Sequence, residues 1–403
     1  MTSTQYPAPS TGSSTSTVLP VNASSVILDG ELTTVGTYTT TVNGNGGIAY
    51  LTATDNPATI TVSGTAYSVP ANTVVATTAV VGSGVSATVA ATFSTSTPPT
   101  SFTASTMSSS SNWTNVAYGN GYYVAIAGGT TAGAYSTNGI SWTASTMSSA
   151  SNWNSVTYGN GYFVAVASGT STGASSTNGT TWTARTMSSV SNWWAVTYGL
   201  IGTTPTFVAV ATSTTAAAYS TNGTTWTAST MPSSKFWYGL TYGNGYFVAV
   251  AYGGTTGYSA YSINGTTWTA SNMSSNSGWY GVTYGNGHYV AVQAAGTTVG
   301  AYSTNGTSWT ASTMPSASTW QGVTYGNGYF VAVAQSTTAG AYSTNGTTWT
   351  ASTMPSSSNW TGVTYGNGYF VAVASSTTAG AYFAQSALLP VNFGIYAGPT
   401  TIN

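Results

Sequence analysis

The clearest pattern along the chain is a recurring alternation of apolar and polar positions, broken by turns of glycine and asparagine. Each period begins with a tryptophan, runs to Tyr-Gly, turns through Asn-Gly, and continues as an apolar run such as Tyr-Phe-Val-Ala-Val-Ala. The tryptophans, 40 to 44 residues apart, are Trp113, Trp153, Trp193, Trp237, Trp279, Trp320 and Trp360. Alternation with a period of two predicts β-strands, and a repeat of this length predicts an array of blades.

Within one period the pattern predicts four antiparallel strands. In the second copy these strands are residues 152–158, 162–167, 174–177 and 182–187, separated by turns that contain glycine. Glycine and asparagine tolerate the positive φ angles that tight hairpin turns require. Four antiparallel strands in about 40 residues form one propeller blade. We therefore predict an all-β fold with a seven-bladed β-propeller over residues 93–382.

The two ends of the array complement each other. The last copy stops after Tyr382 and lacks a fourth strand, whereas the piece it lacks stands before the first copy, at residues 93–107. Phe102 occupies the place that tryptophan holds in the other copies. We expect this piece to complete the seventh blade, which would close the ring and leave no open sheet edge.

One turn of the repeat resembles a known motif. Ser-Thr-Asn-Gly-Thr-Thr-Trp at 220–226 and 343–349 resembles the Asp-box of sialidase-like propellers, with asparagine for aspartate and one residue fewer. Related turns stand at 136–142, 176–182, 262–268 and 303–309. The whole repeat also resembles blade repeats of phage tail and fibre proteins. In the Asp-box family the turn is structural, so the resemblance implies that these residues hold the blades and carry no chemistry.

Charged residues are scarce, and this narrows the possible partners. The chain holds only Asp29, Glu31, Asp55, Arg185 and Lys235, and it holds no cysteine. Two cations cannot replace the counterions of a nucleic acid or hold an anionic membrane surface. Without cysteine there is no disulfide and no thiolate metal site. We expect no nucleic-acid partner, no membrane insertion, no metal and no cofactor.

The same scarcity predicts that the chain is not an enzyme. Sialidase-like enzymes use an arginine cluster and acidic residues, whereas the repeats contain one arginine, one lysine and no acid. Glycosidases commonly need two facing carboxylates, and we interpret Asp29 and Glu31 as a solvated pair on a strand edge. His288 stands where five other copies have tyrosine, and no acid is near it in sequence. No catalytic residue is therefore predicted.

Specificity is expected where the copies differ. The residue after the first tryptophan reads Thr114, Asn154, Trp194, Tyr238, Tyr280, Gln321 and Thr361. Period-two alternation places it on the face opposite the core tryptophan, so three copies would present an exposed aromatic row suited to stacking neutral sugars. The alternative is that these rings fill space between blades or against a neighbouring chain, and that the two cations are simply solvated. The candidate glycan contacts are Trp194, Tyr238, Tyr280, Phe236, Lys235, Arg185 and Gln321.

Outside the array, the composition predicts three further segments. Residues 1–17, rich in serine, threonine and proline, are predicted to be an extended arm. Residues 18–92 lack tryptophan and hold short β-branched runs, which predicts a small β-sandwich-like anchoring domain. Residues 383–403 form a tail whose Leu-Pro-Val-Asn at 389–392 repeats that at 19–22. We expect the tail to pack near the N-terminal domain.

These observations predict a structural protein of a phage virion, attached to the capsid or tail. The N-terminal domain and the arms would bind other virion proteins in a multi-copy or homo-oligomeric assembly, and the propeller would project toward the host surface or its glycans. The N-terminus has no signal-peptide pattern, which fits synthesis in the host cytoplasm. The alternatives are a free propeller lectin and a secreted adhesin.

Overall fold

In the described part, the chain forms strands and turns and no helix. The computed structural model describes residues 98–252 and 257–385 with their side chains, and elsewhere the backbone of several strands. The chain divides into two compact units: a terminal unit of Met1–Thr97 with Ser386–Asn403, and a repeat unit of Pro98–Gln385. No helix long and apolar enough to span a membrane occurs among the described residues.

The terminal unit contains one parallel pair of strands and two antiparallel sheets. Its strands are β1 Thr4–Pro7, β2 Val26–Asp29, β3 Thr37–Val42, β4 Ile48–Ala53, β5 Ala58–Val62, β6 Thr65–Val69, β7 Thr73–Thr77, β8 Ala87–Phe93 and β28 Val391–Tyr396. The sheets have the orders β3-β8-β5-β6 and β28-β4-β7. Strand β28 of the tail thus pairs with β4 of the N-terminal segment. The predicted proximity of the two Leu-Pro-Val-Asn segments, and the side chains of the three acids, lie outside the described residues.

The repeat unit is built from nineteen strands with mostly antiparallel neighbours. They are β9 Thr103–Gly119, β10 Tyr122–Ser136, β11 Thr143–Gly159, β12 Tyr162–Ser168, β13 Thr170–Ser176, β14 Thr183–Ile201, β15 Thr204–Ser220, β16 Thr227–Gly243, β17 Tyr246–Tyr252, β18 Tyr258–Ser262, β19 Thr269–Asn272, β20 Trp279–Gly285, β21 His288–Gln293, β22 Thr297–Ser303, β23 Thr310–Gly326, β24 Tyr329–Gln335, β25 Thr337–Ser343, β26 Thr350–Gly366 and β27 Tyr369–Ala384.

The second copy shows how one repeat is arranged. Strand β11 pairs with β12, β12 with β13, and β13 with the first part of β14. The sequence predicts a fourth strand that ends near residue 187, but β14 continues to Ile201 and supplies the first strand of the next copy. The serine- and asparagine-rich segment between them stays extended because it still pairs, at Ser191 with Thr170 and at Asn192 with Thr212.

The first tryptophan of every copy forms the centre of a core cluster. All seven of these side chains are at most 1% exposed. In each one the indole Nε1 donates a hydrogen bond of 3.1–3.4 Å to the carbonyl oxygen of the serine four residues earlier. The apolar runs of β12, β15 and their equivalents pack around these rings. The residues that are the same in every copy therefore form the structural core, or frame, of the repeats.

The start of the repeat unit pairs with its end. Strand β27 pairs antiparallel with β9, with Tyr382 opposite Thr103 and Ala381 opposite Ala104, which is the pairing the sequence predicts. Phe102 is buried in the core of the last repeat, and its ring centroid lies 6.0 Å from that of Phe383. The first strands of successive copies also contact one another in turn, from β9 through β11, β14, β16, β20, β23 and β26, and β26 contacts β9.

A glycine at the end of each first strand receives a tyrosine from the following copy. A methyl group built on any of these glycines would overlap the tyrosine ring. The pairs are Gly119–Tyr158, Gly159–Tyr198, Gly199–Tyr242, Gly243–Tyr284, Gly285–Tyr325, Gly326–Tyr365 and Gly366–Tyr118. The last pair joins the final copy to the first, so the same contact links all seven copies.

The Ser-Thr-Asn-Gly turn is held by its own side chains. In the second copy Asn178 Oδ1 accepts hydrogen bonds from the backbone N–H groups of Thr180 and Thr181, each of 3.0 Å. The hydroxyl of Ser176 accepts the N–H of Gly179 at 2.8 Å and donates to Asn178. The asparagine therefore performs the structural role expected of it, and its oxygen is engaged within the turn.

Candidate ligand-binding site

The residue after each core tryptophan sits on a β-bulge. In the second copy Trp153 pairs with Ala167 and Ser155 with Val166, so Asn154 has no partner across the ladder. The same irregularity occurs in all seven copies. A bulge redirects the side chain of its extra residue. The regular alternation from which the sequence analysis placed this position opposite the core tryptophan is therefore interrupted here, because the pairing shifts by one residue.

The seven bulges converge on one cavity of about 350 Å³ at the end of the first strands where the tryptophans lie. Residues from the first strand of every copy line it, which places these strands innermost in the repeat unit. The lining includes all seven residues that follow the core tryptophans: Thr114, Asn154, Trp194, Tyr238, Tyr280, Gln321 and Thr361. We call this space the axial cavity. The positions that differ most between copies thus meet in one place.

Three aromatic residues form one wall of the axial cavity. The ring centroid of Tyr238 lies 4.6 Å from that of Trp194 and 4.7 Å from that of Tyr280, and Trp194 meets Tyr280 edge-on at 6.2 Å. All three side chains are half-buried. The sequence predicts an exposed row on the blade surface. The structure instead packs the rings on one another at the axis, because adjacent inner strands bring their bulges together.

Small polar residues occupy part of the opposite wall, and the frame uses their hydrogen bonds. The hydroxyl of Thr114 donates to the Trp153 carbonyl oxygen at 2.8 Å, and the amide of Asn154 donates to that of Trp193 at 2.9 Å. Thr361 donates in the same way to Trp113, at 2.8 Å. Each bond joins one copy to the next. Threonine or asparagine at this position therefore stabilises the contact between repeats.

Gln321 differs from these polar residues. It lines the axial cavity and is 7% exposed. No hydrogen bond joins its amide to another described residue. Its amide carries two N–H donors and one acceptor oxygen, which the fold leaves unused at the wall of the cavity.

Burial keeps the cavity tyrosines neutral. Burial raises the pKa of Tyr280 above its ordinary value of 10.0, and the neighbouring Tyr238 raises it further. The pKa of Tyr238 is raised by burial first and then by Tyr252. Both hydroxyls therefore keep their protons at neutral pH. No group of three histidine, cysteine or acidic side chains that could hold a metal is present in the part of the chain that the structure describes.

The remaining predicted contacts fall in different places. Phe236 is 44% exposed and lies beside the cavity, with its ring 6.1 Å from Tyr238. Lys235 Nζ sits 3.7 Å over the ring centroid of Tyr258, outside the cavity lining. Arg185 lies on the outer part of β14, where its Nε donates to the Ser175 hydroxyl at 2.8 Å. The structure thus brings Phe236 to the aromatic wall and leaves Arg185 away from it.

His288 lies at the opposite end of the repeat unit from the aromatic wall. It follows the Asn-Gly turn after β20, and its Nδ1 lies 3.0 Å from the carbonyl oxygen of Asn286. Its ring meets Tyr302 edge-on at 5.9 Å. Its pairing partner Gly285 lies five positions after Tyr280, about 17 Å along β20. The single histidine therefore does not line the axial cavity.

The sequence analysis missed Tyr252 as a member of the site. Tyr252 is 42% exposed, and its ring centroid lies 5.8 Å from that of Tyr238. A comparison of the copies at the seventh residue of the second strand, counted from Tyr246 in the fourth copy, would have found it. That position reads Gly128, Ser168, Thr212, Tyr252, Ala294, Gln335 and Ser375, so only the fourth copy carries an aromatic ring.

Comparisons with known proteins place the repeat unit among β-propellers. No family model matches the chain, and no curated protein matches it. Virginiamycin B lyase from Staphylococcus aureus superimposes with a TM-score of 0.63 at 10% identity, covering 70% of this chain and 98% of that one. YCF48 bound to D1 peptide gives 0.56 at 13% identity, covering 70% and 94%. The WD40 propeller of Doa1 gives 0.54 at 11% identity, covering 70% and 97%. Likeness at this identity shows the fold alone.

Proposed function

We propose that the chain is a non-catalytic binding protein whose repeat unit is a seven-bladed propeller that holds a neutral glycan in its axial cavity. The observation that carries the proposal is the difference between copies at one structural position. In three copies this position holds Thr114, Asn154 or Thr361, whose side chain bonds the next copy. Three consecutive other copies hold an aromatic residue there, and a fourth holds Gln321. These substitutions supply a binding surface that the frame does not need.

Three contacts support the count of seven blades. The sequence has seven copies, the first strands contact in a cycle of seven, and β27 pairs with β9. The glycine–tyrosine contact also links the seventh copy to the first, through Gly366 and Tyr118. A ring of this kind presents its short edges outward and its first strands to the axis.

The chemistry of the axial cavity favours a neutral sugar over a charged ligand. Aromatic faces suit the apolar C–H faces of a pyranose ring, and the amide of Gln321 suits its hydroxyl groups. Among the described residues there is no carboxylate, and the two cations, Arg185 and Lys235, lie outside the cavity lining. A charged ligand would lose its hydration there without gaining an ion pair, which is unfavourable.

The proposal that the chain is not an enzyme depends on the same set of side chains in and near the cavity. General acid–base catalysis needs a titratable group within hydrogen-bond reach of the reacting atoms, and the cavity offers only tyrosines whose pKa is raised. One lyase structure is of a catalytically inactive histidine-to-alanine variant with quinupristin. Here the single histidine, His288, lies at the far end of the first strand.

The binding proposal is tested with the full chain on an array of neutral and acidic glycans from one to six units. We expect binding to neutral members. Replacing the three rings with threonine, W194T/Y238T/Y280T, should weaken it at least about tenfold, because each ring contributes about 0.5–1.5 kcal/mol beyond its buried area. Affinity should also be insensitive to salt and to pH between 5 and 9, since the cavity holds no ion pair and the tyrosines stay neutral.

A matched control removes an apolar side chain elsewhere. Ile263 is 63% exposed and stands where other copies have threonine, so I263T should leave binding unchanged. Threonine at positions 194, 238 and 280 should be tolerated by the fold, because Thr114 and Thr361 already occupy equivalent positions. The proposal fails if the native chain binds no glycan, if the triple variant binds equally well, or if glycans are cleaved.

We also propose that the protein is a phage appendage, attached to the capsid or tail through its terminal unit and present in several copies. The support is the repeat pattern and the scarcity of charge. Antibodies against the repeat unit, followed by electron microscopy of purified particles, test the proposal. Label projecting from intact particles is expected. Label found only in the soluble fraction or on bacterial cells would favour the alternatives, a free lectin or a secreted adhesin.

A further inference from the structure

The aromatic wall continues out of the axial cavity over the fourth copy. Tyr238, which lines the cavity, lies 5.8 Å from Tyr252 and 6.1 Å from Phe236 between ring centroids. Both outer residues are more than two-fifths exposed, whereas Tyr280 is half-buried inside. Phe236 and Tyr252 also pair across β16 and β17. We call these two residues the aromatic strip.

Only the fourth copy carries this strip. The residue before the core tryptophan is asparagine in four copies, glycine or threonine in two, and phenylalanine only at Phe236. The position of Tyr252, at the end of β17, holds a small or polar residue in every other copy. Large exposed rings at two paired positions of one copy are not needed by a frame that six other copies build without them.

Gly278 leaves room for the ring of Tyr252. A methyl group added at Gly278 of the fifth copy would overlap the Tyr252 ring. Four of the other copies have asparagine at the position of Gly278, and an asparagine there would push the ring away. The tyrosine and the glycine therefore form a matched pair that spans two copies. This contact indicates that packing against Gly278 fixes the orientation of the Tyr252 ring on the surface.

We propose that the site takes the end of a linear neutral oligosaccharide, with the terminal unit in the axial cavity and the next units on Tyr252 and Phe236. This inference rests on the proposed glycan binding. It adds that the glycan enters the cavity by one end and that more than one sugar unit is bound. Tyr238 both lines the axial cavity and contacts the strip, so a chain that leaves the cavity past Tyr238 lies against Tyr252 and Phe236. The end of a peptide chain would bring an ammonium or a carboxylate group, and the cavity has no partner for either.

The length of the ligand tests the inference. On the same glycan array, affinity should rise between about fivefold and about 150-fold from one to three units, since each of the two added stacking contacts contributes about 0.5–1.5 kcal/mol. The variants F236N and Y252S restore residues found in other copies. They should remove that rise, whereas I263T should preserve it. Binding should be abolished when the glycan is attached to the array surface by the end that enters the cavity.

The outcomes separate this inference from the proposed function. If the native chain binds no glycan, or binds uncharged blocked peptides instead, both are overturned. If it binds glycans through Trp194 but with equal affinity for one unit and for three, only the direction and length are overturned. The same holds if F236N and Y252S bind the longer members as tightly as the native chain, or if attachment through either end gives equal binding.

Discussion

Replacing Trp193 with alanine is expected to lower the free energy of unfolding by about 3–5 kcal/mol, whereas replacing the adjacent Trp194 with threonine should change it by less than about 1 kcal/mol. Trp193 is fully buried and packs against Val164 and Val166 of the preceding copy and Phe207 of its own. Its removal leaves a large cavity and unpairs the carbonyl oxygen of Ser189. Truncation in a core is costly because the surroundings collapse only in part.

The neighbouring Trp194 has the opposite character. It is half-buried on a bulge at the axial cavity, and a threonine there can make the bond to the next copy that Thr114 makes. Urea unfolding followed by circular dichroism measures both variants, and glycan binding is measured in parallel. We expect W193A to lose stability and W194T to lose binding. Equal loss of stability in both variants would mean that the aromatic wall is part of the core.

Replacing Gly159 with alanine is expected to cost about 3 kcal/mol, near the upper end for added volume in a packed site. A methyl group there overlaps the Tyr198 ring of the next copy, which is itself packed 5.0 Å from Phe207 between ring centroids. The overlap includes Cγ of Tyr198, so turning the ring about its own axis does not relieve it, and the side chain and the inner strands must shift. The measurement is the shift of the unfolding midpoint in urea.

A double-mutant cycle shows whether this contact is the cause. Tyr198→Ala removes the ring and should lower stability by itself. In the presence of Y198A, the added cost of G159A should fall to well below 1 kcal/mol, because the overlapping atoms are gone. If the two effects add fully, the glycine is required for another reason, and the proposed contact between copies is not what G159A disrupts.

Much of the frame could be predicted from the sequence because its signals are local. Alternation and Asn-Gly turns predict the hairpins, and Asn160 indeed has a φ of 46° and Gly161 a φ of 80°. The missing last strand could be assigned to residues 93–107 because complementary pieces of one repeat stand at the two ends of the array. The fusion of β14 across two copies was missed because its linking segment has no apolar alternation.

The candidate site was only partly predictable. Comparison of copies singled out Trp194, Tyr238, Tyr280 and Gln321, because a residue that departs from a repeat is visible without any structure. Their direction was not predictable, since alternation gives no sign of a bulge, which depends on how the partner strand pairs. Tyr252 also departs from the repeat visibly, but its contact with Gly278, 26 positions away in another copy, follows only from the structure.

The sequence by itself determined the strands, the period, the buried tryptophans and the near absence of charge, because each of these follows from residue types and their spacing. Only the tertiary structure decided that positions about 40 residues apart meet at one axis and that a bulge in every first strand turns them into a shared cavity. It also decided that Thr114 and Thr361 bond the next copy at this position, whereas Gln321 lines the cavity without a hydrogen bond to another described residue. The physical reason is that convergence and hydrogen-bond satisfaction arise between copies, where the local pattern of any single copy carries no information.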